Sequence, residues 1–462
     1  MKKVWGSFLS MLLIVVLLGI AAGCSTKANT DQPAELSASA GTKQESTQSP
    51  VASAASEPVT LKIFTDAKLA QSESYLKLLE DFKAETGIGI EMNIVPGDGV
   101  EIYKKIDVEL TTGNDTDLIY LSNPLYSAKY ATNGWLLPMD DLFSEKGYDA
   151  EKVFGKYLEK FDGKTYMLPN SAGVWAVYYN KKIFDDAGVP YPSGAWTWDQ
   201  YIETAKKLNN PSKGIYGSYM LDYDTYMFIL ARQKEVSGYK ADGTSNYDDP
   251  AFKSSLQFFN DLGNVHKIQP NWQEFKTKKL AWDGFMSGNY GMHFIGSWYT
   301  GMFEDKVAYP RDWKFGITQI PVPADGGNNN FGSVSSIGIS KNSKHPKEAF
   351  EYARFYAENS YKYNGNFPAR VDLKDAEVNE MFKGTVEKLA GEITVADLQK
   401  ALIDNNLGYT DEKLIGPAST DYSNIILQEA EMYLVGQTSL DDAVKSIKTR
   451  VDKAIQDEAN AK

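Results

Sequence analysis

The fold is decided by residues 59–121, where apolar runs alternate with amphipathic ones. The apolar runs are VTLKIF (59–64), IGIEMNIV (88–95) and DLIYL (117–121). Short runs rich in branched apolar residues predict strands. Between the first two runs, Leu78 and Phe82 lie at helical spacing before a stop at Gly87, and residues 100–110 predict a second helix.

The order strand, helix, strand, helix, strand predicts an α/β fold with a parallel sheet and helices on both faces. Ligands of such sheets bind beyond the carboxyl ends of the strands. Asp66 and Lys68 follow the first predicted strand, and Ser122 and Asn123 follow the third. We therefore expect these residues at a ligand site. For each of them, an ordinary loop or helix-cap role is the alternative.

The N-terminus has the pattern of an export signal. Lys2 and Lys3 precede an apolar run and the small residues of positions 21–23, so residues 1–23 predict a signal peptide. Cys24, the one cysteine of the chain, follows directly. This arrangement resembles a bacterial lipobox, although Ala21 stands where Leu is usual, and the resemblance implies lipidation of Cys24. The alternative is plain secretion with an incidental cysteine.

A tether and a globular body are expected after the cysteine. Residues 24–57 are dominated by Ser, Ala, Thr, Gln, Pro and Lys, a composition that predicts disorder because little apolar surface can be buried. The remainder of the chain has ordinary globular composition and exceeds what one core usually supports, so two domains are expected.

Charge and aromatic content narrow the function. The formal net charge of -13 argues against nucleic acid as a partner. The chain is 13% aromatic, with 28 Tyr and 9 Trp. Tyr and Trp pair an apolar face with a polar edge, which suits a wet binding cleft as well as a core.

An ordered series of short motifs covers most of the chain after the tether. Together the series resembles bacterial extracellular solute-binding proteins of the maltodextrin-binding type. The motifs are TGI (86–88), TGNDTDLI (112–119), NGWLLPMDDL (133–142), GKTYMLP (163–169), YYNK (178–181), TWDQY (197–201), DDP (248–250), FMSGNYGM (285–292) and GSW (296–298).

The resemblance implies a two-lobed periplasmic-binding-protein-like fold that closes over a ligand by hinge motion. The expected first lobe comprises residues 58–138 and 324–368, and the second comprises residues 139–323 and 369–462. Crossovers are expected near residues 138–141, 321–323 and 368–370. The implied function is capture of a mono- or oligosaccharide for an ABC permease. The chain is expected to be a monomer, lipid-anchored at the extracellular face of the cell membrane.

Sugars offer an apolar face to an aromatic platform and hydroxyls to polar groups. Trp298 is the expected platform, and Gly296 and Ser297 would let backbone approach the ligand. Trp175 lies in a predicted strand, where a core position is equally expected. Five further candidates are implied by the resemblance. Asp222 and Tyr223 are expected as second-lobe contacts, with a plain surface loop as the alternative, and Arg370 is expected in the later crossover, with a helix cap as the alternative. Gly332 is expected in the returning crossover, and Tyr422 at the start of an apolar helix.

An enzyme is the competing class. A lipid-anchored glycoside hydrolase needs only two carboxylates placed across a bond, which sequence does not exclude. Other chemistries lack their motifs: the histidines are scattered without zinc spacing, and neither a G-x-S-x-G elbow nor a P-loop occurs. No cofactor and no metal are therefore expected, and a binding protein is favoured over an enzyme.

Overall fold

The structure is a computed structural model that describes residues 58–96, 99–404 and 409–461. The predicted signal peptide, Cys24 and the predicted tether lie outside the described residues. The strands of the described part are β1 (Thr60–Asp66), β2 (Gly89–Val95), β3 (Leu118–Leu121), β4 (Met167–Asn180), β5 (Tyr216–Tyr219), β6 (Tyr290–Gly296), β7 (Phe315–Gln319), β8 (Phe331–Ile339) and β9 (Thr410–Asp411).

Helices separate most of these strands. They are α1 (Ala67–Ala70), α2 (Glu73–Thr86), α3 (Gly99–Thr111), α4 (Pro124–Thr132), α5 (Asp140–Lys146), α6 (Ala150–Phe154), α7 (Lys181–Ala187), α8 (Trp198–Leu208), α9 (Ile229–Gln233), α10 (Pro250–Asn264), α11 (Trp272–Thr277), α12 (Thr300–Glu304), α13 (Pro346–Asn364), α14 (Asp375–Lys388), α15 (Val395–Leu402), α16 (Ser419–Leu434) and α17 (Leu440–Ala461).

The opening β-α-β-α-β unit forms as predicted. Strand β1 pairs in parallel with β2, from Thr60 opposite Gly89 to Asp66 opposite Val95, and in parallel with β3 on its other side. The next neighbour, β8, joins β3 antiparallel. The predicted parallel sheet is therefore confirmed for its first three strands, and it continues as a mixed sheet.

Strand β4 carries the sheet from one section to the next. Its first half, up to Val174, pairs antiparallel with β8, with an irregularity between Pro169 and Ser171. From Trp175 onward it pairs antiparallel with β6 and β7 instead. The strand order is β2-β1-β3-β8-β4-β6-β5, with β7 on β4 and β9 on β8.

Side-chain alternation along β1 builds cores on both faces of the first section. Leu61 and Ile63 pack with Phe82 of α2 and residues of α13, whereas Phe64 packs on the opposite face with side chains of α3 and α4. Alternate residues of a strand point to opposite faces, so helices cover both. The second section packs in a separate, larger core that contains Trp175 and Phe294.

The C-terminal helix follows its sequence pattern. Ser439 accepts a hydrogen bond from the Asp442 amide at 3.1 Å, and Ile447 and Val451 are fully buried. Ser439 therefore caps the helix, and the buried side chains belong to an apolar stripe that packs in the second core. Within the described ranges, no helix has the length and apolar character needed to span a membrane.

Candidate ligand-binding site

A cavity of about 670 Å³ lies where the ends of several strands meet helices from the C-terminal part of the chain. Its volume falls within the range of about 300–1,000 Å³ that is usual for small-molecule sites. Six of the residues that the sequence pointed to line it: Ser122, Asn123, Asp222, Tyr223, Ser297 and Trp298.

Trp298 lies two residues after the end of β6 and lines the cavity, with 38% of the residue exposed. The ring lies against the backbone of two glycines. A Cβ atom at Gly296 would sit 2.0 Å from Cζ3 of the indole, and one at Gly173 would sit 2.5 Å from the same atom. Because nonbonded carbons need about 3.5 Å, only glycine at positions 173 and 296 leaves room for the Trp298 ring.

Strand β3 places its polar end at the cavity, as the topology predicts. Ser122 donates its backbone N–H to the Tyr103 hydroxyl at 2.7 Å, and the two hydroxyl oxygens lie 2.8 Å apart. Asn123 caps α4, because its side chain accepts from the Leu125 amide at 3.0 Å. Tyr103 itself lines the cavity and stacks on Tyr126 at 4.0 Å between ring centroids.

The loop after β5 supplies an acidic and an aromatic side chain. Asp222 forms an ion pair with Lys276 at 2.7 Å. Tyr223 stacks on Tyr226 with ring centroids 6.1 Å apart, and burial raises the pKa of its phenol to about 12. The phenol is therefore a neutral donor and acceptor at physiological pH.

A buried polar cluster behind the loop also reaches the cavity. The Lys413 ammonium forms an ion pair with the Asp224 carboxylate at 2.5 Å, and Ser423 donates to the same carboxylate at 2.6 Å. Glu412 lies beside them, buried at 8% exposure. Each of these four residues lines the cavity. Because the acidic Asp224 has a positive partner, the cluster satisfies much of its buried charge internally.

Three residues that the sequence predicted at the site do not line the cavity. Two of them are hydrogen-bonded elsewhere, and the third is exposed to solvent. Asp66 caps α1 by accepting from the Leu69 amide at 2.7 Å, and Lys68 in that helix is exposed. Arg370 directs Nε and Nη2 to the carboxylate of Asp372 at 2.8 and 2.9 Å. Its Nη1 donates to the Glu358 carbonyl, so the guanidinium is occupied away from the cavity.

Four more predicted residues do not line the cavity. Trp175 and Tyr422 are fully buried, the latter with its hydroxyl hydrogen-bonded to Ser245 and the Gly238 carbonyl. Gly296 supports Trp298. A Cβ at Gly332 would sit 2.3 Å from the Gly173 carbonyl oxygen, so that glycine permits close pairing of β8 with β4. Trp175, Gly296 and Gly332 therefore support the site without lining it, whereas the Tyr422 hydroxyl bonds only to residues outside the lining.

The cavity also contains residues that the sequence patterns did not single out. They include Tyr103, Tyr120, Ser171, Glu304, Glu412 and Lys413. Tyr103 stands in an amphipathic helix, where an inward-facing tyrosine has the pattern of an ordinary core residue. Glu412 follows a two-residue strand and carries no local motif. Pairing of β9 with the distant strand β8, which a linear pattern does not contain, brings Glu412 to the cavity.

Known proteins are similar to this chain in sequence and in fold. An arabinooligosaccharide-binding protein of Halalkalibacterium halodurans is 26% identical over 318 residues, which is 64% of this chain and 68% of that protein. A diacetylchitobiose binding protein of Streptomyces coelicolor is 26% identical over 308 residues, 64% of this chain and 70% of that protein. The structure is similar to that of an ABC substrate-binding protein of Listeria monocytogenes in complex with cycloalternan. That similarity has a TM-score of 0.72 at 21% identity, over 87% of this chain and all of that one.

The fold is the two-lobed, periplasmic-binding-protein-like α/β fold. The sequence model of the bacterial extracellular solute-binding proteins matches residues 66–363, and this chain belongs to that family. It is therefore a binding protein of the extracellular or periplasmic space, and the hydrolase alternative is not supported. The resemblance seen in the sequence motifs is confirmed.

Proposed function

We propose that the cavity captures a short oligosaccharide for import. The observation that carries the proposal is the Trp298 indole, which packs against two glycines and is exposed to a cavity whose other walls bear hydroxyl, amide and carboxylate groups. An apolar platform beside hydrogen-bonding groups matches the two kinds of surface that a sugar ring offers. The named relatives that bind arabino-oligosaccharide, diacetylchitobiose or cycloalternan support the same ligand class.

The contacts we assign to the ligand follow from the lining. Trp298 stacks on a sugar ring, and hydroxyls of the ligand bond to Ser122, Asn123, Asp222 and Tyr223, with Ser297 alongside. Trp175, Gly296 and Gly332 support this arrangement from behind. Asp66, Lys68, Arg370 and Tyr422 are withdrawn as ligand contacts.

A thermal-shift and calorimetry panel of cycloalternan, arabinotriose and diacetylchitobiose tests the assignment. We expect at least one to raise the melting temperature and to bind with a measurable Kd. Trp298→Ala should weaken that binding by roughly 30-fold, the usual effect of truncating a central aromatic contact. Trp282→Ala is the matched control, because Trp282 is similarly exposed at 42% and does not line the cavity. Equal losses in both variants would refute the site, and no binding by any of the three glycans would refute the ligand class.

We further propose that the two lobes close over the ligand by bending at β4 and the other crossovers. β4 passes between the two sections of the sheet, and its ladder with β8 is interrupted between Pro169 and Ser171, which favours bending near that point. Met139 and Leu142 pack in the core of β1. That packing favours a first-lobe boundary within β4 rather than at residue 138. Small-angle scattering of the full chain should show compaction on adding a bound glycan; an unchanged radius of gyration would refute closure.

Delivery to an ABC permease and anchoring through a lipid on Cys24 complete the proposed function. A tethered binder stays near its permease in a cell where a free one would diffuse away. Incorporation of radioactive fatty acid into the native chain, absent from Cys24→Ala, is the expected result. Equal labelling of both chains, or labelling of neither, would refute the anchor.

A further inference from the structure

Glu412 is fixed in the cavity wall by its own backbone. Its amide donates to the Gly332 carbonyl oxygen at 2.6 Å, and its carbonyl accepts from the Thr225 hydroxyl at 3.3 Å. The residue is 8% exposed and lines the cavity. With both backbone groups bonded, the direction of its side chain is set by the pairing of β9 with β8.

That side chain is joined to the platform through a second tryptophan. The Glu412 carboxylate accepts a hydrogen bond from Nε1 of Trp175, which is fully buried. The Trp175 ring meets the Trp298 ring edge to face, with centroids 5.8 Å apart and an interplanar angle of 90°. Trp298 in turn rests on Gly173 and Gly296. A continuous chain of contacts therefore runs from the carboxylate to the exposed indole.

We propose that Glu412 is a positioning residue of the binding site, whose ionised carboxylate holds Trp175, and through it Trp298, in the orientation that receives the ligand. A hydrogen bond to a charged acceptor is about twice as strong as one to a neutral acceptor. The ionised carboxylate therefore orders the tryptophan pair more firmly than the protonated one. The effect on ligand affinity rests on the function proposed above, whereas the effect on the tryptophans does not.

The electrostatic surroundings place this switch near neutral pH. Burial raises the pKa of the Glu412 carboxyl to about 7, while Lys413 and the bond from Trp175 act in the opposite direction. Other titratable groups that interact with it are Asp411, Asp224, Tyr223, Tyr226 and Tyr409. Both forms of the carboxyl are therefore populated at physiological pH. Ligand affinity should rise as pH increases through this range.

Stability should change in the opposite sense. The folded pKa of Glu412 is raised above its ordinary 4.5, so the folded state favours the protonated form. Its contribution to stability is complete below 4.5 and is lost as pH rises toward about 7. At alkaline pH, Glu412→Gln removes a buried charge and keeps an acceptor for the indole. The variant should therefore melt at a higher temperature than the native chain and yet bind ligand less tightly.

A ligand-free experiment tests the contact chain first. The chain contains 9 Trp, and the N–H resonances of ¹⁵N-labelled indoles can be followed by NMR. The variants Trp175→Phe and Trp298→Phe identify the two resonances, because each variant lacks one of them. Between about pH 5.5 and about pH 8.5, the Trp175 and Trp298 resonances should titrate together with a midpoint near the Glu412 pKa. Both titrations should vanish in Glu412→Gln. A Trp298 resonance that does not move, or that moves equally in the variant, would overturn the proposal.

A second arm measures binding and stability together in the full chain. Kd values for cycloalternan, arabinotriose and diacetylchitobiose should improve about five-fold from below to above the midpoint in the native chain, and stay flat in Glu412→Gln. Glu274→Gln, a carboxyl change outside the cavity lining, should keep the native pH profile. A purely structural role would lower melting temperature and affinity together in Glu412→Gln, and that result would overturn the proposal. If none of the glycans binds at any pH, the proposed ligand class fails, while the NMR arm still decides the role of Glu412.

Discussion

The packing of Trp298 against Gly296 offers the sharpest test of the binding site by mutation. Gly296→Ala would place a methyl carbon 2.0 Å from Cζ3 and 2.1 Å from Cη2 of the indole. Since such carbons need about 3.5 Å, the ring must move by more than an ångström. Gly296 has φ -72 and ψ 160, a conformation that alanine adopts freely, so the backbone need not change. The half-exposed indole can swing outward, and we expect the protein to stay folded.

The expected cost falls on binding. Losing the flat platform removes an aromatic contact and part of its buried area, together about 1.4 kcal/mol, or ten-fold in Kd. Calorimetry with the tightest glycan of the panel measures this loss. Gly384→Ala is the control, because a Cβ at that exposed helical position meets no atom within 4 Å. Its affinity should match that of the native chain.

A double-mutant cycle decides whether the loss passes through Trp298. In a Trp298→Ala background, Gly296→Ala has no indole to displace, so it should cost nothing further. The two changes should therefore be strongly non-additive. An equal ten-fold loss in both backgrounds would refute the reasoning, because it would show that Gly296 acts on the ligand independently of the ring.

Three further predictions concern the scaffold. Burial lowers the pKa of His293 to about 3. The folded state therefore favours the neutral imidazole, and the protein loses stability as pH falls below the ordinary pKa of 6.5. The free energy of unfolding should fall by about 1.4 kcal/mol per pH unit in this range. Denaturant titrations should show this slope reduced in His293→Phe and retained in His266→Gln. Arg311 and Glu392 form a buried ion pair at 2.6 Å. Urea unfolding should show that Glu392→Gln lowers stability by about 3–5 kcal/mol, whereas Glu101→Gln, in an exposed pair, lowers it by less than about 1 kcal/mol. Equal losses in the two variants would contradict the view that burial makes the first pair important. Tyr422→Phe removes the hydroxyl that bonds to Ser245 and to the Gly238 carbonyl. The variant should lose about 1–2 kcal/mol of stability by urea unfolding and bind glycan with unchanged affinity. Weaker glycan binding would restore Tyr422 as a ligand contact.

Sequence patterns predicted the opening of the fold well because local periodicity determines it. The alternation of β1 and the helical spacing of Leu78 and Phe82 assign each residue to a face, and the parallel pairing of β1 with β2 and β3 follows. The antiparallel partners β8 and β4 were not predicted. Their pairing joins segments far apart in the chain, and no short pattern encodes it.

The candidate site was predicted in part, for a related reason. Ser122 and Asn123 line the cavity because the end of a strand fixes where its next residues lie, whereas Asp66, at the end of β1, caps a helix instead. Trp175 and Trp298 look alike in sequence, yet one is buried and the other exposed. The side of a strand or turn that an aromatic residue occupies depends on its tertiary neighbours. The position of Glu412 depends on the pairing of β9 with β8. No sequence pattern near Glu412 predicts that pairing.

A crystal structure of the chain grown with the tightest glycan of the panel tests the central claim most directly. A sugar ring should lie against the Trp298 indole, with hydroxyls bonded to side chains of the cavity such as Asp222 and Tyr223. Glycan density away from this cavity, with Trp298 free of contact, would contradict the assignment of the site.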